Sequence, residues 1–509
     1  VESKLVGQLS IFDKLNDIID SFGYITSELL LIAAIILVTI VVILPISKGL
    51  KELIYIGISA LTTLMALAVN INLLEVVSGQ GGQLIFNRMM SVDSFGLIWT
   101  IVIMLGTLLF IVMNKSYLLK SSKTGEYYVL ILGMLLGAVI GVKSNNLLLL
   151  FIAIEFVSLC AYAITNLGHS AKSAEASLKY LLFGAVCGAV MLYGFSLLYG
   201  INHELNLYAI DFGKPAVWAV FGVSCIAAVG VLFKVSAVPF HIWVGDVYES
   251  APTPSVAFFS TVPKFMGIAI LFRMLEAMTN SFELLDAVEI WRATLVVIAS
   301  VTMTLGNILA INQQSVKRML GYSSVAQSGM FLAGLVCFST LGMKAVLFYA
   351  IVYAFMNFAA FYLVQVVENK FGDDRIESFA GLGHKAPFIG VVIVVVMISL
   401  TGLPPTAGFT GKLMIFSALW EASQTIQDPW LIGMIIVALV NTVVSLFYYL
   451  KVPYFMYFKD NEKEPFKDFT LNALDCIVLI IFTLPLLILF FKPEIVYSFC
   501  GYVNTIISH

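Results

Sequence analysis

Lys234-Val-Ser-Ala-Val-Pro239-Phe-His241-Ile-Trp243-Val-Gly-Asp246-Val-Tyr-Glu249-Ser-Ala-Pro252-Thr-Pro254 lies between two apolar runs, Trp218 to Phe233 and Ser255 to Val262. The second run leads into Pro263-Lys264. Two lysines therefore stand in segments of membrane-spanning character, where a central lysine costs roughly 2.5–3.5 kcal/mol to insert. Such side chains line a polar interior path instead of facing lipid. Between them Pro239 removes a backbone donor and breaks the helix. Membrane depth tolerates that only where protein or water satisfies the freed groups. Two buried cations beside a broken helix point to ion movement more than to a static scaffold.

The rest of the chain extends this reading. Of 509 residues, 60% are hydrophobic and 12% charged, and the mean hydropathy is +0.98. That is an all-α polytopic membrane protein in contact with the lipid bilayer. The net charge of −3 argues neither for nor against nucleic acid, but the chain has no basic tail or stripe, so no nucleic-acid partner is expected. The six cysteines, Cys160, Cys187, Cys225, Cys337, Cys476 and Cys500, form no C-x-x-C pair. They read as small packed hydrophobes, so any redox cofactor is expected in another chain. Val1 to Ser27 mixes acidic and apolar residues, unlike the basic start of a signal peptide. Span 1 is therefore expected to remain as an uncleaved helix.

Apolar runs of spanning length predict about fourteen transmembrane helices, near 28–46, 52–72, 92–113, 127–142, 146–166, 176–200, 216–243, 255–276, 291–312, 322–338, 342–367, 387–424, 429–455 and 471–491. Spans 7 and 12 are too long for one straight crossing and carry interruptions, at Pro239 and at Gly402-Leu-Pro404-Pro405-Thr-Ala-Gly408. Five crossings separate them. Spans 4–8 (residues 127–276) and spans 9–13 (residues 291–455) thus read as two inverted five-helix repeats, each with one broken helix, a pattern that marks ion paths. Flanking them are an N-terminal extension (1–27), spans 1–3 (28–126), and span 14 with the C-terminus (471–509). Fifteen Lys and Arg on the loops opposite the termini, against nine on the terminal side, place both termini outside.

Four charges within spans are the candidate proton-carrying residues. Glu155 is the only charge in Asn146–Asn166 and reads as the partner of Lys234. The pair is either a clamp between spans 5 and 7 or a device whose opening lets Lys234 release its proton. Lys264 lies about ten residues, or roughly 15 Å, into its span, beyond easy snorkelling, and reads as a central relay. Lys412 follows the second break in Gly408-Phe-Thr-Gly411-Lys412-Leu413, which lacks the spacing and the Ser/Thr of a phosphate-binding loop. It reads as a further proton site beside unwound backbone. Lys179, one turn into its span, either snorkels or takes part. His241 either shuttles protons or holds the break. Tyr322, with Ser323, Ser324 and Gln327, either orders a water wire or simply opens span 10. Asp246 and Glu249 read as loop-fixing charges near the inner surface.

Four segments carry a family resemblance: Phe233 to Trp243, Asp246 to Pro254, Asn307-Ile-Leu-Ala-Ile-Asn-Gln-Gln-Ser-Val-Lys-Arg-Met-Leu-Gly-Tyr-Ser-Ser324, and Leu403-Pro-Pro-Thr-Ala-Gly-Phe-Thr-Gly-Lys412. With them the chain resembles the antiporter-like membrane subunits of respiratory complex I, over spans 4 to 13. Asp246-Val-Tyr-Glu249 followed by Ala251-Pro-Thr-Pro254 resembles the subunit N branch of bacterial NADH-quinone oxidoreductase. Lys412, where subunit M has Glu, and the short tail after span 14, unlike subunit L, agree with that branch. Ser250, Gly245 and Gln327 depart from the usual Gly, Pro and His.

The resemblance implies Glu155 and Lys234 as a modulating pair, Lys264 as central relay, Lys412 as distal proton site and Lys179 near the entry. It implies proton translocation as part of a quinone-reducing translocase. The chain would have no cofactor of its own, with FMN, iron–sulfur clusters and quinone in other subunits. The implied partners are subunits M, K and J in an obligate hetero-oligomer of the bacterial inner membrane, with periplasmic termini. Rival readings are a subunit of a multi-subunit cation/proton antiporter, a stand-alone secondary transporter, and a purely structural subunit.

Overall fold

A computed structural model describes residues 18–114, 123–168, 170–210, 217–281, 285–459 and 471–502. Most of the N-terminal extension, residues 1–17, lies outside the described residues. In lipid every backbone group needs an internal partner, so long apolar runs become helices. The first are α1 (Thr26–Ile43) and α2 (Lys48–Gln80). A short antiparallel hairpin, β1 (Gln83–Ile85) and β2 (Met90–Val92), pairs Gln83 with Val92 and Ile85 with Met90. Its turn runs through Phe86, Asn87 and Arg88, all at positive φ. An all-helical reading did not anticipate it. Then come α3 (Ser94–Asn114), α4 (Thr124–Lys143), α5 (Leu147–Thr165) and α6 (Ala171–Asn202).

Span 7 is divided into α7 (Val217–Val235) and the short α8 (Val244–Ser250). Span 8 is divided as well, which the sequence reading missed: α9 (Thr253–Phe259) ends at a turn through Ser260 and Thr261, and α10 (Val262–Ser281) follows. Pro263 is the physical reason, since it has no N–H to continue the ladder. Next are α11 (Leu285–Ile311), α12 (Val316–Leu335), α13 (Thr340–Phe371) and the one-turn α14 (Leu382–Lys385). Span 12 is broken into α15 (Pro387–Thr401) and α16 (Ala407–Ile426), before α17 (Pro429–Phe458), α18 (Ala473–Phe491) and α19 (Glu494–Cys500).

Twelve helices among the described residues are long and apolar enough to cross a membrane. The other two expected spans are present as helices of different character. α12 is rich in Ser and Gly, and α15 is cut short by the break before α16.

Polar side chains set the helix starts. Asn146 accepts from Leu148 N and Leu149 N, Ser170 and Ser173 cap α6 reciprocally, and Ser315 and Ser339 cap α12 and α13. Each satisfies a donor that the first turn leaves free. One connection occurs twice. Leu147 N donates to Leu205 O and Leu207 N to Asn145 O, which ties the start of α5 to the segment after α6. In the same way Val316 N donates to Asp374 O and Ile376 N to Gln314 O, which ties the start of α12 to the segment after α13. A short 3₁₀ turn follows in both places, Leu207–Ala209 and Ile376–Phe379.

Burial separates the helices by role. α9, α10, α12 and α13 are almost wholly buried. α1, α2 and α17 present apolar side chains outward, such as Ile43, Leu53, Val443 and Phe447, as lipid or an apolar neighbour requires.

Candidate functional site

Three lysines sit at the three helix breaks, all deeply buried: Lys234 is 2% exposed, Lys264 0% and Lys412 4%. Lys234 ends α7. Beyond it Ser236 takes a positive φ, and Val238 N, which the break leaves without a helical partner, donates to Thr302 Oγ1 at 3.0 Å. The chain then returns Trp243 onto Tyr180, with ring centroids 4.2 Å apart. Lys234 Nζ is enclosed by the rings of Phe233, Tyr180 and Tyr162 at 5.7, 5.9 and 6.0 Å. It makes no hydrogen bond. Aromatic faces attract a cation without removing its proton.

Glu155 lies on α5 against Gly188 of α6, where an added Cβ would sit 2.2 Å from its Oε1. It is within electrostatic reach of Lys234 but makes no direct ion pair with it. The direct clamp reading of this pair is therefore corrected: the carboxylate reaches Lys234 through its field and not through a contact.

Lys264, in the first turn of α10, donates to the main-chain carbonyl of Ser324 on α12. Ahead of it the break at Ser260 is held by Asn357 of α13, which donates to Ala257 O at 3.2 Å and Ser260 Oγ at 2.5 Å. Lys412 donates to Thr401 O at 2.8 Å and Leu400 O at 3.3 Å. These are terminal carbonyls of α15, free of helical partners because the helix stops at Gly402 (φ 86°), and they form its negative end. A Cβ at Gly402 would stand 2.7 Å from Lys412 Cδ, so glycine is what admits the side chain.

α12 joins two of these sites. One turn beyond Ser324, Gln327 Nε2 donates to Leu400 O and to Tyr449 OH, both at 3.2 Å. Tyr349 OH donates to Gln327 Oε1. The sequence Lys264, Ser324, Gln327, Leu400, Lys412 thus follows one buried helix, with a single carbonyl shared by Gln327 and Lys412.

The remaining candidates lie elsewhere. Lys179 is 45% exposed and bound to Glu175 at 2.9 Å and Asp246 at 2.8 Å. Asp246 and Glu249 also hold Arg318, at 3.4 and 2.8 Å, so the expected loop-fixing charges form a belt that includes Lys179. Tyr322 belongs to the same belt: the Arg318 guanidinium lies 5.9 Å from its ring, and its OH packs at Gly245 of α8. His241 is nearly buried beside the first break, and its Nδ1 has no hydrogen-bond partner. Two of the three helix breaks coincide with Pro239 and with Pro404-Pro405, where the Val238-Pro239 and Pro404-Pro405 bonds are cis.

Residues 144–445 match the family described as "NADH:quinone oxidoreductase/Mrp antiporter, TM". That is more than half of the chain. The chain belongs to this antiporter-like family. It is 37% identical over 393 residues to NADH-quinone oxidoreductase subunit N of Chlorobium chlorochromatii, covering 75% of each chain. It is 35% identical over 468 residues to NADH-quinone oxidoreductase subunit N 2 of Sorangium cellulosum, covering 88% of this chain and 91% of that one. Among solved structures, a chain of respiratory complex I from Thermus thermophilus is similar at TM-score 0.74 and 28% identity, over 93% of this chain and 99% of that one.

Within this antiporter-like chain, sequence reasoning missed a set of buried ion pairs. Lys143 Nζ meets Glu28 Oε1 at 2.8 Å, and Asn70 Oδ1 at 3.2 Å. Arg273 binds Asp93 through both guanidinium nitrogens at 2.7 and 2.8 Å. Arg292 meets Asp428 at 3.2 Å. All three cations are among the nine that the charge count above assigns to the terminal side. The correction is physical: a charge at the end of a span packs inward when another helix offers a carboxylate. Arg273 carried a signal, as it falls inside the predicted span 255–276. Glu28, Asp93 and Lys143 precede the family match, so two of these pairs fasten α1 and the start of α3 to helices beside or within it.

Proposed function

We propose that the chain is the subunit-N-type proton-translocating membrane subunit of a NADH:quinone oxidoreductase, a translocase whose redox chemistry takes place in other subunits. One observation carries this reading. Among the described residues the other buried lysines and arginines, Lys143, Arg273, Arg292 and Lys317, each have a carboxylate partner, whereas Lys234, Lys264 and Lys412 have none in contact and meet only rings or backbone carbonyls. Water stabilises an ammonium group far better than a dry site does, so a buried amine without a counter-ion exchanges its proton more easily than a paired one.

In this reading Glu155 sets the field at Lys234, Lys264 is the central relay and Lys412 the distal site. Residues 127–276 and 291–455 form the two half-units around them. A proton arriving near Lys234 raises the energy of the next ammonium group, because like charges repel strongly where water cannot screen them. The α12 row supports transfer from Lys264 toward Lys412. His241 holds the first break, and Lys179 and Tyr322 fix the inner belt through which protons enter. FMN, iron–sulfur clusters and quinone belong to partner subunits, and the neighbours are of the M, K and J type. The membrane is the bacterial inner membrane with both termini outside. Burial of Lys143, Arg273 and Arg292 in ion pairs supports that orientation, since it removes three cations from the outer loops, while among the described residues only Lys317 is buried on the inner side.

The test is proton uptake by inverted membrane vesicles during NADH oxidation, with Lys234→Ala and Lys264→Ala compared with wild type. The expected result is an assembled complex that has lost most of its pumping per NADH oxidised. Pumping at the wild-type ratio in both variants would return the subunit to a scaffold role. Sodium-driven proton exchange by the chain without NADH would place it with the cation antiporters instead.

A further inference from the structure

Two amides meet beside Lys412. Asn307 of α11 donates through Nδ2 to the Asn441 carbonyl at 3.0 Å and to Asn441 Oδ1 at 2.9 Å, across to α17. Tyr448 OH donates to Asn307 Oδ1 at 2.9 Å. Asn441 Nδ2 in turn donates to Thr304 Oγ1 at 3.1 Å and Val437 O at 3.0 Å. Both amides are buried, while Thr304 is exposed on the lateral face of α11. The surrounding stretches, Thr304-Leu-Gly-Asn307-Ile-Leu-Ala-Ile and Val440-Asn441-Thr-Val-Val, are otherwise mainly apolar.

Adhesion between two helices at membrane depth needs only the amide–amide bond from Asn307 to Asn441. Here more polar groups converge than adhesion requires. A cavity with about 10 Å³ of space for the centre of a water-sized sphere lies between the amides and Lys412, and Gln327, Thr442, Ser445 and Tyr448 also line it. That is about the least space a single water needs, and a buried water also requires two to four polar partners, which this lining supplies. Lys412 lines the cavity, whereas Leu400 and Thr401, whose carbonyls hold its ammonium group, do not.

We propose that Asn307 and Asn441, braced by Tyr448, are positioning residues that hold one water against Lys412. Lys412 then exchanges its proton through this water, on the side between α11 and α17. The proposal rests on Lys412 being the distal proton site.

The experiment measures protons pumped per NADH oxidised by the assembled complex in inverted vesicles, for Asn441→Val, Asn441→Ser, Tyr448→Phe and Lys412→Ala. Asn441→Val removes the amide and fills part of the cavity, and is expected to lower the ratio several-fold with assembly intact. Asn441→Ser leaves a hydroxyl and room for water, and is expected to keep at least half of it. A wild-type ratio in Asn441→Val overturns the proposal. So does a loss in Asn441→Ser as deep as in Asn441→Val, which is what a purely adhesive amide would give. If Asn441→Val does not assemble, Tyr448→Phe decides, because it deletes only the hydroxyl that donates to Asn307: a lowered ratio supports the water site and an unchanged ratio overturns it. Lys412→Ala separates the two levels. An undiminished ratio there refutes the functional reading itself, whereas a loss there with normal Asn441→Val refutes only this inference.

Discussion

Replacing Asp93 by Asn removes one charge from a pair in which both side chains are 1% exposed. Asn keeps the shape and the capping ability of Asp, so the bond from Gly96 N, 2.7 Å in the native protein, is retained. Arg273 loses its anionic partner. It keeps Val142 O at 2.8 Å, Tyr208 OH at 3.4 Å and the face of Phe95 at 4.9 Å. Breaking a buried pair from one side costs about 3–5 kcal/mol. One charge-assisted hydrogen bond from Arg273 to the new amide returns about 2 kcal/mol, which leaves about 1–3 kcal/mol. That corresponds to roughly a 5- to 140-fold loss in the equilibrium that holds α3 to α10.

The consequence reaches the site because Lys264 lies on α10, roughly 14 Å along the helix from Arg273. The assay is the temperature at which the isolated complex releases this subunit, read beside pumping per NADH. Asp93→Asn is expected to lower both. Asp93→Leu combined with Arg273→Met removes both charges and is expected to recover most of the thermal stability. An Asp93→Asn complex as stable as wild type, or a double variant weaker than the single one, would refute the reasoning.

Two glycines give contrasting predictions. At Gly188 an added Cβ meets the end of the flexible Glu155 side chain. Gly188→Ala is expected to assemble normally, turn Glu155 away from Lys234 and lower pumping; unchanged pumping would mean that the position of Glu155 is not used. At Gly408 the Cβ would lie 1.8 Å from the Ser399 main-chain oxygen, so α15 and α16 must separate. Overpacking of this kind costs about 1–3 kcal/mol or more, and Gly408→Ala is expected to reduce the yield of assembled complex. A normal yield would show that the close approach of the two helices is dispensable.

Much of the fold was legible because lipid imposes a simple rule on composition and length. The apolar runs marked the spans, and Pro239 and Pro404-Pro405 marked two of the three breaks. The third break was hidden because Ser260 and Thr261 are tolerated in an apolar helix and Pro263 reads equally well as a helix start. Lys234, Lys264 and Lys412 were legible as charges where charge is costly. Lys143 and Arg273 were misplaced because a lysine or arginine near a span end looks the same whether it turns to water or inward. Asn307 and Asn441 carry no sequence signal of a site, because amides have no charge and each could have bonded its own helix.

The sequence by itself determined a polytopic helical membrane protein with lysines inside its spans, two of them beside interruptions, because burying charge and breaking helices are costly enough in lipid to be read one segment at a time. Only the tertiary structure decided which of those charges are neutralised. It set Asp93 against Arg273 and Glu28 against Lys143, left three lysines to rings and carbonyls, and brought Ser324, Gln327 and Leu400 into one row. The reason is that a charge acts through the groups within a few ångströms of it in space, and those come from helices tens to hundreds of residues away in the chain.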